Sequence, residues 1–411
     1  MSHGILNVYF GRELVGELEQ DASGITRFQY TQSWINSPDA VPISASLPLR
    51  SERFSRNETR PFFAGVLPEE ESRMLIAKLF GVSERNDFEL LARIGAECAG
   101  AVSLLPPGES PAEADPQYLE ISLAQIGDKL AELPRRPLMA GDQGVRLSLA
   151  GAQGKIALKL ENDRFYLSLD GAPSSHILKP ENPRFAGLVK NEYFCMRLAS
   201  EVGLEAAPVG IGTAGAIPFL QVKRYDRRML ADGRLERIHQ EDFCQALGVP
   251  PDLKYQQEGG PGLKQCFELI RAVSTVPGPD LLRLFDGVVF NVLIGNCDAH
   301  GKNFSILREN HSIRLAPFYD LLSTQVYPGL AAEMAMKIGG ERNVKKINAK
   351  NWHLFFEDAG IGQAVAQQRL LTLNGRILAA AKMLSEKGCP GAESVLSIVK
   401  ENSDQLVKLR W

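Results

Sequence analysis

Ile294-Gly-Asn-Cys-Asp-Ala-His-Gly-Lys-Asn-Phe-Ser305 sets a dense group of polar side chains directly behind one of the most apolar stretches of the chain. The residues before it, Leu281-Leu-Arg-Leu-Phe285 and Val288-Val-Phe-Asn-Val-Leu-Ile294, carry apolar side chains all round the helical period, the pattern of a buried helix. Buried helices do not usually end in such a set by chance. Outward from this point, the sequence from Gln240 to the C-terminus is mostly helical in period. Upstream, the short runs Val145-Arg-Leu-Ser-Leu149, Lys155-Ile-Ala-Leu-Lys-Leu160, Phe165-Tyr-Leu-Ser-Leu169, His176-Ile-Leu-Lys179 and Phe219-Leu-Gln-Val222 are separated by Gly, Asp and Pro. They predict strands of one antiparallel sheet, interrupted by a helix over about 186–203. Further upstream, alternation in Leu6-Asn-Val-Tyr-Phe10 and Leu14-Val-Gly-Glu-Leu18, then the aromatic run Phe28 to Trp34, predicts a β-meander, with helical spacing from about Arg60. The fold class is therefore α+β: a small unit over 1–108, a connector rich in Pro, Ala and Glu over 109–116, a sheet-rich unit over 118–225, and a helix-rich unit over 226–411.

Asp298 and Asn303 stand five residues apart, the spacing by which a protein-kinase catalytic loop places a base near a hydroxyl and an amide oxygen on magnesium. Seventeen residues further on, Pro317-Phe-Tyr-Asp-Leu-Leu-Ser323 supplies Asp320, similar in role to the metal-binding aspartate that follows such a loop. Mg²⁺ takes oxygen donors and keeps waters, so Asn303, Asp320 and nucleotide phosphates suffice for a site. Any one of these residues alone also reads as a loop cap or turn residue; their combined spacing favours chemistry. Ser148-Leu-Ala-Gly-Ala-Gln-Gly-Lys155 is a small-residue turn between apolar runs, where backbone N–H groups approach phosphate oxygens, although an ordinary hairpin reads the same way. It is neither a Walker A sequence nor a dinucleotide fingerprint. Lys179 ends a strand-like run and Glu192 follows 13 residues later on the next helix, the order of a kinase lysine and its helix glutamate; each alone reads as a solvated surface charge.

With 411 residues, 44% of them hydrophobic and 23% charged, the chain exceeds the size at which one core stops growing and has no disorder signature. A formal charge of -3 gives no global attraction to nucleic acid or to an anionic membrane. The six cysteines show no CxxC pair and no metal-ligand spacing, as expected of buried thiols in a reducing compartment. The N-terminal stretch has no signal-peptide pattern, and no run of 18 apolar residues occurs, so a cytoplasmic protein without a membrane span is expected.

In sequence order, 148–158, 176–180, 191–195, Lys223-Arg-Tyr-Asp-Arg-Arg228, Gln240-Glu-Asp-Phe-Cys-Gln245, Gly259-Gly-Pro-Gly262, 298–305 and 317–320, together with Phe63-Ala-Gly-Val-Leu-Pro-Glu69 in the first unit, resemble the HipA kinases of bacterial toxin–antitoxin modules. The resemblance spans nearly the whole chain. It implies a two-lobed fold similar to protein and phosphoinositide kinases, with a sheet-rich N-lobe, an all-helical C-lobe, and ATP and Mg²⁺ as cofactors of serine/threonine phosphorylation. It implies Asp298 as base, Lys302 and His300 beside it at the phosphates, and Asn303 and Asp320 on the metal. Ser148, Ala150, Gly151, Ala152, Gln153, Gly154, Lys155, Lys179 and Glu192 would handle the nucleotide; Lys223, Tyr225 and Asp226 would form the hinge, and Gln240 would contact the base. Ser148 falls where the family autophosphorylates and switches itself off. The implied partners are glutamyl-tRNA synthetase as substrate, a small helix-turn-helix antitoxin and, through it, operator DNA. Gly154 departs from the glutamate common at that place. Two rival readings remain: a DNA-bound corepressor, with the basic run Arg342-Asn-Val-Lys-Lys-Ile-Asn-Ala-Lys350 near phosphates or merely solvated, and a kinase of a small-molecule alcohol.

Overall fold

In the computed structural model, which describes residues 4–112 and 115–411, the chain divides into two units. The first comprises 1–180 and 212–251, the second 181–211 and 252–411. Residues 1–3 of the expected first unit and positions 113 and 114 of the expected connector lie outside the described residues.

The first unit opens with β1 (Gly4–Phe10), β2 (Glu13–Gln20) and β3 (Thr26–Tyr30), whose alternating burial follows from alternating side chains. A short helix α1 (Gln32–Ile35), capped by the Thr31 hydroxyl, takes up Trp34 from the end of the expected meander. Then come α2 (Arg56–Gly65), α3 (Glu70–Phe80), α4 (Asp87–Ile94) and β4 (Val102–Leu105), giving a sheet ordered β3-β2-β1-β4. The aromatic residues that suggested a meander form its core: Phe28 lies 4.8 Å from Tyr30 and 5.2 Å from Phe63, ring centre to ring centre.

After β5 (Gln117–Ile121) and α5 (Leu123–Glu132) follow β6 (Ile156–Glu161), β7 (Arg164–Leu169) and β8 (His176–Pro180). The chain then enters the second unit as α6 (Leu188–Glu201) and returns through β9 (Val209–Ala214) to β10 (Ile217–Lys223). The resulting sheet runs β5-β7-β6-β8-β10-β9. Residues 145–149, read as a strand, are not one: Leu147 makes only an isolated bridge with Glu97, because this segment lies against the loop after α4 instead of joining the sheet. The ribbon β11 (Arg227–Met229) and β12 (Leu235–Arg237), then β13 (His239–Asp242) and α7 (Phe243–Ala246), complete the unit. A single buried cluster runs across the expected border at 108, from Leu6 and Val8 through Phe62 and Leu147 to Leu178 and Phe219.

The second unit is built on α6, α8 (Leu263–Val273) and α9 (Pro277–Ile294). Proline stands at the start of α9 and Gly295 ends it in the left-handed conformation, φ 70°, the two positions where these residues cost a helix least. Hairpins β14 (Ser305–Glu309)–β15 (Ser312–Leu315) and β16 (Glu333–Ile338)–β17 (Glu341–Asn343) accompany the helices. The chain closes with α10 (Ala349–Ala359), α11 (Gln363–Glu386) and α12 (Ala392–Val407). Phe285 of α9 stacks on Phe355 of α10 at 5.1 Å, anchoring the buried helix read from the sequence. All six cysteines are free and five are buried; burial pushes the Cys98 and Cys266 thiols up to about 12, so they pack as small apolar groups. No helix among the described residues is long and apolar enough to cross a membrane.

Candidate active site

Beyond the Gly295 cap, the buried side chain of Asn296 organises the polar loop. Its Nδ2 donates to Asn291 Oδ1 at 2.8 Å, and its Oδ1 accepts the Asp298 N–H at 3.2 Å. The same Nδ2 lies 3.5 Å from the Asp320 carbonyl, so one amide touches both the Asp298 turn and the Asp320 segment. Asp298 itself is exposed, and its Oδ1 accepts the Tyr255 hydroxyl at 2.7 Å. The His300 N–H donates to Asn303 Oδ1 at 3.2 Å while the Asn303 N–H returns to the His300 carbonyl at 2.9 Å, closing a single turn. His300 and Lys302 are buried.

Tyr319 provides the second tie. Its hydroxyl lies 2.7 Å from the Lys302 carbonyl and 2.7 Å from Ser305 Oγ, fixing the residue beside Asp320 to the catalytic-type loop. Thr324 provides a third, with Oγ1 donating to the Gly295 carbonyl at 3.1 Å and accepting the Cys297 N–H at 2.8 Å. Within the second unit, then, the structure draws together the segments bearing Asp298, His300, Lys302, Asn303 and Asp320. Asn296, Tyr255, Tyr319 and Thr324 were not singled out from the sequence. Asn296 and Tyr319 flank the chosen residues, but an amide or phenol beside a motif carries no signal of its own until the fold supplies its partner.

Asp320 has φ 52°, the left-handed region, where a non-glycine residue is strained. The Asn303 amide oxygen, with one lone pair taken by His300, and the Asp320 carboxylate are hard oxygen donors of the kind Mg²⁺ accepts. Among the described residues no group of three or more His, Cys, Asp or Glu is placed to hold a metal.

In the first unit, loop 148–155 lies against 66–72. Ser148 is fully buried and its hydroxyl donates to the Val66 carbonyl at 2.9 Å. Gly151 bridges Pro68, and Ser72 Oγ reaches the Ala152 carbonyl at 3.3 Å. Gly151 has φ 101°, and Lys155 Nζ folds back onto the Ala150 carbonyl. Gln153 is half-buried in the same loop. Gly154 keeps no such positive φ, and a Cβ there would first meet Leu133 at 3.6 Å, ordinary contact. Lys179 is buried in β8 opposite Leu220 of β10. Glu192 is buried in α6, so the expected lysine–glutamate pair is divided between the first and the second unit.

Of the expected hinge, Lys223 is exposed at the end of β10, and the Tyr225 hydroxyl donates to Gln240 Oε1, joining two residues expected at the base. The Asp226 carboxylate is buried and turned to the protein. It accepts Arg224 Nε at 2.9 Å and the Gly100 N–H at 2.8 Å and pairs with Arg227 at 2.9 Å. Burial pushes this carboxyl up, but the two guanidiniums and the Gly100 N–H outweigh it and hold it well below the usual carboxylate range. Glu97 and Ser174 complete the cluster through Arg224. In the second unit Arg342 pairs with Glu333 at 3.1 Å and Lys345 with Glu401 at 2.9 Å, which commits part of the basic run 342–350 locally.

A two-unit chain with this sheet, this buried helix and these loops has a kinase-like fold. Residues 147–381 match the HipA-like C-terminal domain and residues 6–105 the HipA N-terminal domain, and the chain belongs to the HipA family. It is 48% identical to the Sinorhizobium fredii protein Y4mE, which carries a provisional kinase name, over 91% of this chain and 90% of that one. It is 30% identical to the serine/threonine-protein kinase toxin HipA of Shewanella oneidensis over 90% of this chain and 87% of that one. The structure of Shewanella oneidensis HipA with HipB and operator DNA superposes with a TM-score of 0.82 at 29% identity, covering 98% of this chain and 96% of that one.

Proposed function

We propose that the chain is an ATP-dependent serine/threonine protein kinase, the toxin of a toxin–antitoxin pair. The observation that carries this reading is the linkage, through Asn296 and Tyr319, of the segments that bear Asp298, Asn303 and Asp320. In phosphoryl transfer the protein positions groups and stabilises charge. Asp298 accepts the proton of the acceptor hydroxyl. Asn303 and Asp320 hold magnesium, which neutralises charge on the phosphates when bound. Lys179, Lys302 and His300, with the amides of 148–155 and the side chain of Lys155, serve the triphosphate; Lys223, Tyr225 and Gln240 serve the base.

The acceptor we propose is glutamyl-tRNA synthetase in the cytoplasm, with Ser148 as an autophosphorylation site. A small helix-turn-helix antitoxin is the proposed partner, by analogy with HipB beside the Shewanella oneidensis protein, and operator DNA is reached through it. The test is transfer of labelled γ-phosphate from Mg-ATP by wild type, Asp298→Asn and Ser148→Ala, alone and with the synthetase. Label on the synthetase and on Ser148, lost in Asp298→Asn, is the expected result. Label on other proteins only would overturn the acceptor assignment, and near wild-type transfer by Asp298→Asn would overturn the assignment of the base.

A further inference from the structure

The sequence motif Gly259-Gly-Pro-Gly262 has no part in the chemistry above, yet the structure gives it a definite task. It folds the segment before α8 back on Tyr255, whose carbonyl accepts the N–H groups of Glu258 and Gly260, both at 2.9 Å. A side chain is excluded at Gly260, where a Cβ would lie 2.2 Å from the Leu253 carbonyl, and one on Gly262 would have to displace the Gln256 amide, whose Nε2 lies 2.6 Å from that position. Gln256 Oε1 in turn accepts the Lys337 N–H of β16 at 2.7 Å, and Arg342 donates to Gln257 Oε1 at 2.7 Å, pinning the two residues that follow the tyrosine to the β16–β17 hairpin. The phenol is thus presented from a fixed platform. Its ring stands edge-on to His300, with centres 5.1 Å apart and planes at 79°, and its hydroxyl reaches Asp298 Oδ1 at 2.7 Å.

We infer that Tyr255 is a positioning residue for Asp298: its hydroxyl fixes the carboxylate's rotation and, by donating to the charged form, favours the ionised base over the protonated one. The inference rests on the reading of Asp298 as the base of phosphoryl transfer. It assigns the Gly-Gly-Pro-Gly turn a purpose, which is to hold the phenol where the carboxylate needs it. Tyr255→Phe retains the ring against His300 and removes only the donor.

The experiment joins two measurements on the full chain. In the first, transfer from Mg-ATP is followed against pH for wild type and Tyr255→Phe. The expected result is a fall in kcat of about tenfold to a hundredfold, the loss of one hydrogen bond to a charged group, with KM for ATP within about twofold, an unchanged melting temperature, and an acid limb displaced to higher pH. In the second, 3-fluorotyrosine is placed at position 255 and its ¹⁹F resonance is titrated with and without Asp298→Asn. A carboxylate titration seen by the fluorine and abolished in Asp298→Asn supports the contact whether or not the chain transfers phosphate. An active wild type matched by Tyr255→Phe in kcat and pH profile overturns the inference and leaves the kinase reading standing. An inactive wild type overturns the kinase reading, and a resonance indifferent to Asp298→Asn would then overturn the contact as well.

Discussion

Asn191 and Ser323 exchange two hydrogen bonds: the Ser323 N–H donates to Asn191 Oδ1 at 2.9 Å and Asn191 Nδ2 donates to the Ser323 carbonyl at 2.9 Å. The side-chain amide thereby treats the serine backbone as one strand treats another. Asn191 is fully buried in α6, and Ser323 lies three residues past Asp320, so a helix residue fixes the exit of the segment that carries the proposed metal ligand.

Asn191→Leu is expected to leave both backbone groups of Ser323 without this partner, at a cost of about 1–3 kcal/mol per buried orphan. Transfer should fall further than stability alone explains, with a higher magnesium requirement, because Asp320 loses its anchor. Urea unfolding and transfer rates measured against magnesium concentration check both parts; an unchanged magnesium dependence would separate the anchor from the site.

Asp320 offers a second test, because its φ of 52° stores strain that a wrong side chain would enlarge. Asp320→Val should cost about 1–3 kcal/mol, since a β-branched residue is a genuine outlier in that region. Asp320→Gly should melt close to wild type, strain relief offsetting added chain entropy. Both should be inactive in transfer. Equal melting temperatures for the two variants would show that the left-handed backbone is not held there.

Periodicity revealed the buried helix α9 and the strands β1, β2, β6, β7, β8 and β10, because stretches such as Val288 to Ile294 and His176 to Lys179 carry their burial in their own composition. Spacing singled out Asp298, Asn303 and Asp320. Partners that act across long sequence intervals stayed hidden: Tyr255 meets Asp298 from 43 residues away, and Asn191 meets Ser323 from 132. Residues 145–149 were misjudged for a related reason. Their alternation signals one buried face, whereas pairing depends on a neighbour, and here the neighbour is Glu97 in a loop. The joint burial of Arg224, Asp226 and Arg227 was equally invisible in a charged run that reads as surface.

That cluster is the third test. Arg224 is buried, pairs with Asp226 at 2.8 Å and Glu97 at 3.2 Å, and donates to the Cys98 carbonyl at 3.1 Å. Burial, with Arg224 alongside, pushes Arg227 down to about 10, so this second guanidinium is itself a reluctant cation. Arg224→Met would leave two buried carboxylates with Arg227 as their chief counter-charge. The expected loss is about 3–5 kcal/mol, measured by urea unfolding. A loss within about 0.5 kcal/mol would mean that the network relaxes or hydrates when its central charge is removed.

His176 gives the chain a pH dependence whose sign follows from its surroundings. It is half-buried at the start of β8, with Nδ1 2.8 Å from Ser175 Oγ and Lys223 as its register partner on β10. Burial, and then the Lys223 charge, push its pKa down from 6.5 to about 4. The folded state therefore binds this proton less readily than the unfolded chain. The neutral ring's contribution is complete above pH 6.5 and is lost progressively as pH falls from 6.5 towards 4. His176→Gln removes the titrating group while keeping a polar side chain of similar reach, so its unfolding free energy should fall less steeply than wild type between pH 7.5 and pH 5. Urea titrations of both proteins at the two pH values measure the difference. Parallel losses would assign the acid sensitivity to other groups and leave His176 hydrated in the folded chain.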